Sequence, residues 1–526
     1  MRVDMTLPIG QRHVDLVVEA KMERLQDEAE ANYVSIHPVW FPYEINHVTG
    51  TVNIGNGAIT LTDIKGQHQR TWIVSQGDGR YSEDAWSVKL KNLIVGRLKI
   101  DEDLLDAVPS SLAPPIRQLK YEGLVNVSGE ISVGGTTRDK NSNQLGAYNA
   151  NPSALQNNIS SVHRVPYRTP RPHSTSLAWD LRFDMNQANM QIGIPIENVF
   201  GKVQLVGVYD GKNAECRGDL EIDSLTVYDA QITKIRGPIW LDNLRAGAGV
   251  FARPRQTNRV GNVSPIKNQK GEIESVTGQM HKGTVTFDAQ MDSGAKNEFY
   301  VQATLADGCL ATTCREFDSQ MDDIEGHSFA AIRMTGDYSG IHSHRGEGII
   351  QLRDARIYEL PVFLSLLKIP NFRQLSRTAF DSSNIDFTIH GDIIDFNRME
   401  FLGDAISLIG NGKMNLDREI DLNFYSVVGR NKINIPLISE LYRASSQKIL
   451  WINVDGTLEN PQTHPHVLPQ LNDSLKQLFQ PRERSGLANR FQQGFNGPGA
   501  LRGLSTQPLG PVSRVADDAS PSLINR

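Results

Sequence analysis

The sequence lacks several features that would assign a protein to a class at once. Only three cysteines occur in 526 residues, and this odd number excludes a scaffold built from disulfides. The longest apolar stretch, near Leu360–Leu367, is far short of the ~20 residues that a membrane-spanning helix needs. The formal net charge is only −6, which excludes both a globally basic nucleic-acid-binding protein and a highly charged disordered chain.

Motifs that carry catalytic chemistry are also missing. The sequence contains no P-loop, no dinucleotide fingerprint, no Gly-x-Ser-x-Gly elbow and no His-Glu-x-x-His helix. His342-Ser343-His344 is predicted to place both rings on one face of a strand, and His464-Pro465-His466 precedes a predicted helix. Neither pair has the further ligands that zinc needs, and Lys and Arg are scattered without interleaved aromatic residues. We therefore expect no enzyme activity, no metal or other cofactor, and no nucleic-acid partner.

Period-two alternation of apolar and polar residues is the dominant pattern of the chain, and it predicts half-buried β-strands. In residues 48–64, for example, apolar side chains alternate on both sides of Gly55-Asn56-Gly57. Gly and Asn supply the positive φ angles of a tight hairpin turn. Similar alternation recurs along the chain and occupies most of 347–458. The sequence therefore predicts a mainly β protein with roughly twenty or more strands.

Helical patterns are few and short, and three segments are polar without any period. Those segments are 136–176, 244–270 and the tail from 481, which we interpret as loops or disorder. The predicted organisation is an N-terminal strand-rich module (1–135), a disordered insertion (136–176), a middle β module (177–328) with a loop at 244–270, a C-terminal region (329–479) and a disordered tail (480–526). The predicted helices are Met22–Asn32, Asp101–Ala107, Pro361–Leu367, Ile435–Ser446 and Val467–Phe479.

The region 329–479 shows the strictest alternation and supplies the candidate site residues. Because side chains alternate between the two faces of a strand, its apolar residues are predicted to share one face. Gly410-Asn411-Gly412 is predicted to form a turn or bulge between two of its strands. The candidates for lining this apolar face are Ile385, Phe387, Ile389, Met399, Phe401, Ile406, Leu408, Met414, Leu416, Leu422, Phe424, Ile452 and Val454.

The order of motifs in this region resembles the C-terminal region of the AsmA-like family. The shared pattern is a Gly-containing strand, a short apolar helix, an Ala-Phe pair, and alternating strands with Gly-rich connections. The matching pieces here are Gly346–Ile350, Leu360-Pro361, Ala379-Phe380, Ile385–Ile389, Leu402-Gly403-Asp404, Ile409–Gly412, Asp421–Phe424 and Val454–Pro461. The resemblance covers about 150 residues, and the Gly-rich repeats at 47–64 and 122–133 agree with it more loosely.

The resemblance implies a long, curved antiparallel sheet with an apolar inner face and a few short helices. It implies a non-enzymatic protein of the cell envelope that binds or transfers a phospholipid or another acyl-chain lipid. It further implies other envelope proteins as partners and a location on the periplasmic side of the inner membrane. Members of the family usually begin with a membrane anchor, whereas neither an anchor nor a signal peptide is visible in this sequence.

Three alternatives remain open from the residues alone. The apolar strand faces would also suit a closed β-sandwich whose inner face is an ordinary core. A structural or assembly factor of the envelope would dock partners through a sheet edge or through the predicted helix Val467–Phe479. An enzyme acting on envelope glycans is the third alternative, although no motif in the sequence favours it.

Overall fold

The structure is a computed structural model. It describes residues 2–6, 15–23, 33–38, 40–136, 175–251, 274–294, 297–317, 325–355, 382–402, 406–428 and 449–468. These residues form one antiparallel sheet of 23 strands. The predicted fold class, a mainly β protein with a long curved antiparallel sheet and a few short helices, is therefore confirmed.

The sheet is built as a meander in which strands pair with their neighbours along the chain. Its first half contains β1 (Arg2–Thr6), β2 (Asp15–Met22), β3 (Asn46–Gly55), β4 (Ala58–His68), β5 (Thr71–Tyr81), β6 (Ala85–Lys99), β7 (Leu124–Thr136), β8 (Ser176–Gln191), β9 (Pro195–Tyr209), β10 (Ala214–Val227) and β11 (Ala230–Asp242). Its second half contains β12 (Arg245–Ala248), β13 (Val276–Met280), β14 (Gly283–Asp292), β15 (Glu298–Cys309), β16 (His327–Asp337), β17 (Arg345–Arg353), β18 (Ser382–His390), β19 (Ile393–Leu402), β20 (Ile406–Asn415), β21 (Glu419–Val428), β22 (Ile449–Thr457) and β23 (Pro461–Leu468).

The hairpin predicted at Gly55-Asn56-Gly57 is confirmed. β3 ends at Gly55 and β4 begins at Ala58, so the turn consists of Asn56 and Gly57. Their φ angles are 50° and 75°, the positive values that a two-residue turn requires in order to match the twist of its strands.

Three short helices accompany the sheet among the described residues: α1 (Glu102–Ala107), α2 (Ala113–Gln118) and α3 (Leu310–Phe317). The prediction at 101–107 is confirmed, because Asp101 caps α1 by accepting a hydrogen bond from the Leu104 amide. The other predicted helices fall mainly outside the described residues. However, Met22 belongs to β2, and Val467 and Leu468 belong to β23, so the predicted boundaries at those three residues are wrong.

Two of these helices, α2 and α3, are not among the predicted ones. Pro114 and Pro115 occupy the first turn of α2. A proline is tolerated there because the first amide groups of a helix have no partner within the helix. Across the described ranges, no helix is long and apolar enough to span a membrane.

β12 and β13 lie end to end between β11 and β14, and residues 249–275 connect them along the chain. Asp288 of β14 lies at the gap and is 2% exposed. Its carboxylate accepts hydrogen bonds from the Val250 amide at 2.8 Å and from the Ser275 hydroxyl at 3.1 Å. The Asp288 carboxylate therefore binds one residue near each end of this connecting segment. The loop predicted at 244–270 is wrong for 245–248, which form β12, and its residues 252–270 lie outside the described part of the chain.

The sheet continues through the predicted boundaries of the modules. Thr136 ends β7 and Ser176 begins β8, and these two strands pair directly. β16 runs across the boundary predicted at 328/329 and pairs with strands on both sides. The tail from 480 and residues 137–174 of the predicted insertion lie outside the described residues.

Candidate functional site

A single apolar surface extends across the sheet, and the strand register defines it. Directly paired residues on antiparallel strands share a face of the sheet. We followed these pairs from β4 to β22, and each residue in the resulting row is apolar or glycine. At one step, from Gly237 to Val276, the two residues are in direct contact rather than paired. We call this surface the inner face. The row is Gly66, Ile73, Val95, Val127, Phe183, Val203, Leu220, Gly237, Val276, Phe287, Ala303, Ile332, Gly348, Phe387, Phe396, Gly412, Leu422 and Val454.

The inner face is the concave face of the sheet. Phe299 belongs to it, because Phe299 pairs with Met291 and Gly336 in the same register as the row. Gly193, in the turn between β8 and β9, lies against the Phe299 ring so closely that a Cβ atom there would be 2.3 Å from a ring carbon. A turn many strands away in the chain thus reaches over the inner face, and the sheet must curl towards its apolar side.

Most of the predicted site residues come together in one buried cluster on this face. The exposed fractions are 0% for Leu408, Ile452 and Val454, and 1% for Phe424. Their strands β20, β21 and β22 are adjacent, so the alternation in each strand adds to the same surface. The cluster contains the predicted residues Met399, Phe401, Leu408, Leu422, Phe424, Ile452 and Val454, with Ile385 and Met414 packed against it.

The remaining four predicted residues are placed differently. Phe387 is buried on the inner face but outside that cluster, and Ile389 is half-buried near a strand end. Leu416 lies one residue beyond β20 and is 43% exposed. The Ile406 side chain lies outside the described part of the chain. Alternation assigns a residue to a face, but the end of a strand determines whether the sheet covers it.

Aromatic rings of the inner face lie over glycines of the neighbouring strand. The Phe424 ring faces Gly410, where a Cβ atom would be 2.5 Å from the ring. A glycine in this position leaves space for a ring to lie along the sheet rather than to stand away from it. The aromatic side chains of the inner face therefore lie flat against the sheet and protrude little from it. The same cross-strand pairing occurs for Trp86 with Gly135, Trp179 with Gly207, Phe299 with Gly336, and Phe387 with Gly348.

This pairing also corrects the interpretation of Gly410-Asn411-Gly412. β20 runs through all three residues, and the irregularity lies in β19, where the register shifts between Phe396 and Met399. The two glycines are needed opposite Leu422 and Phe424 rather than for a turn.

Coverage of the inner face varies along the sheet. On β4, Ile59 and Leu61 are half-buried, and the residues between and beside them, which point to the other face, are exposed. Their cross-strand partners Ile54 and Val52 on β3 are likewise only half-buried. The apolar surface is thus more accessible on β3 and β4 than on β20–β22. The alternation at 48–64 predicts strands, but the predicted site residues all lie in 385–454, because the pairing that joins the two regions is not visible in a local pattern.

The opposite face carries polar groups, including a depression of about 440 Å³ beside the bulge in β19. His390 Nδ1 lies 3.1 Å from Asp395 Oδ2, and Lys413 Nζ lies 3.8 Å from Asp395 Oδ1. These charged side chains pair with one another, and the depression that they line is polar, unlike the inner face. In the described ranges, no group of three or more His, Cys, Asp or Glu side chains is arranged to hold a metal ion.

The histidine pair at 342–344 does not have the predicted strand geometry. Residues 341–343 form a short 3₁₀ turn between β16 and β17. His344 is 4% exposed and packs edge-on against the Phe299 ring that Gly193 contacts, at 5.3 Å between ring centres, and burial lowers its pKa. His344 therefore helps to hold the β8–β9 turn over the inner face. The second pair, His464 and His466, lies in β23.

The rate at which Cys216 reacts, compared with that of Cys309, should test whether the inner face is buried. Cys216 pairs with Gly207 on this face, and burial raises its pKa to about 12. Cys309, at the start of α3, has a pKa lowered by hydrogen bonds from Thr312. Because the thiolate is the reactive form, a maleimide at neutral pH should label Cys309 at least about 100-fold faster than Cys216. Peptide mapping by mass spectrometry measures both rates. Equal rates in the native protein would contradict the burial of this face, and equal rates in denaturant are the control.

Comparison of the chain with protein-family models, with curated proteins and with solved structures returned no match. The resemblance to the AsmA-like family therefore stays a prediction from the motifs of 329–479.

Proposed function

We propose that this protein is a non-enzymatic protein of the cell envelope that binds acyl-chain lipid along its inner face and transfers it. Phospholipids are the first candidates, and the periplasmic side of the inner membrane is the proposed location. Envelope proteins are the proposed protein partners. The location and the partners follow from the family resemblance alone.

The observation that carries the proposal is the uninterrupted apolar row from Gly66 to Val454 on the concave face. An ordinary globular core is compact, whereas this row of residues runs across 18 strands in a direction that a chain or a series of chains can follow. Burying one methylene group contributes about 0.8 kcal/mol, so an acyl chain lying on this face would be held by contacts along its whole length. The partial exposure of Ile59 and Leu61 leaves apolar surface available for such contacts.

The direct test is native mass spectrometry of the purified full-length chain. Co-purifying lipid, or uptake of a fluorescent phospholipid from phosphatidylethanolamine–phosphatidylglycerol vesicles, is the expected result. A protein that is free of lipid and takes none up from these vesicles would overturn the proposal.

A matched pair of neighbouring substitutions separates the two faces. Ile59→Asp places a carboxylate on the half-buried inner face, whereas Thr60→Asp places it on the exposed opposite face of the same strand. Because a carboxylate disrupts an acyl-chain contact and neither site is fully buried, lipid uptake should fall at least about fivefold for Ile59→Asp and stay unchanged for Thr60→Asp. Circular dichroism and the unfolding midpoint verify that both variants fold. Equal uptake by both would argue that β4 is not part of the binding surface.

A structural or assembly factor is the alternative function, and the described residues give it less support. Among the described strands, β23 pairs only with β22, so its other edge is a possible docking edge. It carries Pro461 and Pro465, and proline cannot donate a ladder hydrogen bond, so it blunts the edge of a sheet. The predicted docking helix at 467–479 begins within β23 and otherwise lies outside the described residues.

A further inference from the structure

The turns of the meander fall on two opposite rims of the sheet. Since successive connections alternate between the rims, residues 293–294, 297, 338–344 and 416–418 lie at one rim, which we call rim 1. The connections at 100–123, 192–194 and 228–229 share the other, which we call rim 2. A flat sheet would keep the two rims a full strand length apart.

In this protein the two rims contact each other at three places. The Gln118 side chain of rim 2 donates a hydrogen bond to the Asn297 side chain of rim 1. Gly193 of rim 2 packs against the Phe299 ring, and His344 of rim 1 packs edge-on against the same ring. In the third contact, Asp229 Oδ2 of rim 2 lies 3.0 Å from Arg418 Nη2 of rim 1.

Each contact joins strands that are far apart in the sheet, with the rim 1 partner always later in the chain. The offset is roughly seven to nine strand positions, or about 34–43 Å of sheet at ~4.8 Å per strand. A constant direction of offset means that the sheet rolls as a spiral with its apolar face inside. The rims then meet along a line, which we call the seam, and the seam closes the inner face from the side.

The seam differs in strength from place to place. At Gly193 it is built on Phe299 and His344, which are 3% and 4% exposed. At Asp229 and Arg418 it rests on an ion pair whose side chains are 85% and 35% exposed. Exposed ion pairs contribute little to stability, because water and salt screen them and their side chains lose freedom. Arg418 also bonds Glu459 of its own rim at 2.9 Å, so it keeps a partner when the seam parts.

Large apolar side chains are exposed beside this weak point. Tyr228 precedes Asp229 and is 47% exposed, and Leu416 lies two residues before Arg418 and is 43% exposed. Exposed apolar side chains therefore lie on both rims beside the weak ion pair. Such side chains would favour contact with an incoming hydrocarbon chain.

Building on the proposed function, we infer that acyl chains enter the inner face sideways, through the seam between residues 228–229 and 416–418. The Asp229–Arg418 ion pair closes this entry, and Arg418 stays bonded to Glu459 when it opens. Tyr228 and Leu416 are the apolar groups that the chain contacts on the way in.

Cross-linking across the seam tests the inference. The variant Asp229→Cys with Arg418→Cys, in a Cys309→Ser, Cys314→Ser background, is joined by a bismaleimide of roughly 10 Å, since a direct disulfide needs closer Cα atoms. The matched control is Arg418→Cys with Glu459→Cys, which joins two turns of rim 1 and leaves the seam free. Uptake of a fluorescent phospholipid from vesicles is measured before and after cross-linking.

Cross-linking across the seam should slow uptake at least about tenfold, and the control cross-link should change it less than about twofold. Asp229→Lys, which repels Arg418, should accelerate uptake in the chain without cross-links. Unchanged uptake after complete cross-linking of the seam would overturn the lateral entry while the proposed lipid function stands. Absence of uptake by every variant before cross-linking would overturn both.

Discussion

Phe424→Ala should lower the stability of the C-terminal part of the sheet by about 3–5 kcal/mol, the cost typical of removing a buried phenyl ring. Phe424 is 1% exposed, lies over Gly410 and packs edge-on against Phe401 at 6.0 Å between ring centres. Since Gly410 has no side chain to fill the space, the surrounding residues have little means of closing the cavity. Hydrogen–deuterium exchange of peptides from β20, β21 and β22 measures the loss locally.

Leu416→Ala is the matched control for this substitution. It also removes apolar carbons from a predicted inner-face residue near β20, but Leu416 is 43% exposed beyond the strand end. Its replacement should change the opening free energy by less than about 0.5 kcal/mol. Effects of equal size for the two substitutions would contradict the distinction between the covered floor of the inner face and its rim.

Glu215→Gln should stabilise the protein at pH 8 by up to about 3 kcal/mol and have little effect at pH 4. Glu215 is 8% exposed, and burial raises its pKa from 4.5 to about 7, with nearby Asp242 adding to the rise. One pKa unit corresponds to about 1.4 kcal/mol. The folded protein therefore binds this proton more tightly than the unfolded chain does.

The sign of the pH dependence follows from that difference. Between about pH 4.5 and pH 7 the folded state holds more protons at this site, so stability falls as the pH rises. Above pH 7 the carboxylate is charged and its burial cost is fully present, whereas below pH 4.5 both states are protonated and the cost disappears. Glutamine mimics the neutral acid at every pH, so it removes this part of the pH dependence.

Unfolding midpoints of the wild type and Glu215→Gln from pH 4 to pH 9 measure the effect. Glu221→Gln is the control on the same strand and face, because the hydrogen bond from Lys202 lowers the pKa of Glu221. That variant should gain no stability at high pH. A Glu215→Gln curve parallel to the wild-type curve would show that this carboxyl titrates normally.

The mainly β character was predictable because it depends on local pattern, whereas the long curved sheet was implied by the family resemblance. Alternation over a few residues fixes which side chains share a face, and Asn56-Gly57 carries the φ angles of its turn within two residues. The same rule placed seven of the predicted site residues in one buried cluster. It failed where a strand ends, as at Leu416.

Other features needed partners that the sequence pattern does not identify. The pairing of Phe424 with Gly410 depends on a register that no single strand specifies. Asp288 is one of many acids in the strands, and only the break between β12 and β13 makes it a buried fastening point.

The sequence by itself determined that this chain forms many alternating strands with one apolar face each, because a two-residue period is a property of the extended backbone. The tertiary structure alone decided which residues join these faces into one surface and that the rims of the sheet meet. Asp229 and Arg418 are 189 residues apart, and the curl that brings them together accumulates from the twist of every strand between them. Contacts of that range arise from the summed geometry of the sheet, so no local pattern encodes them.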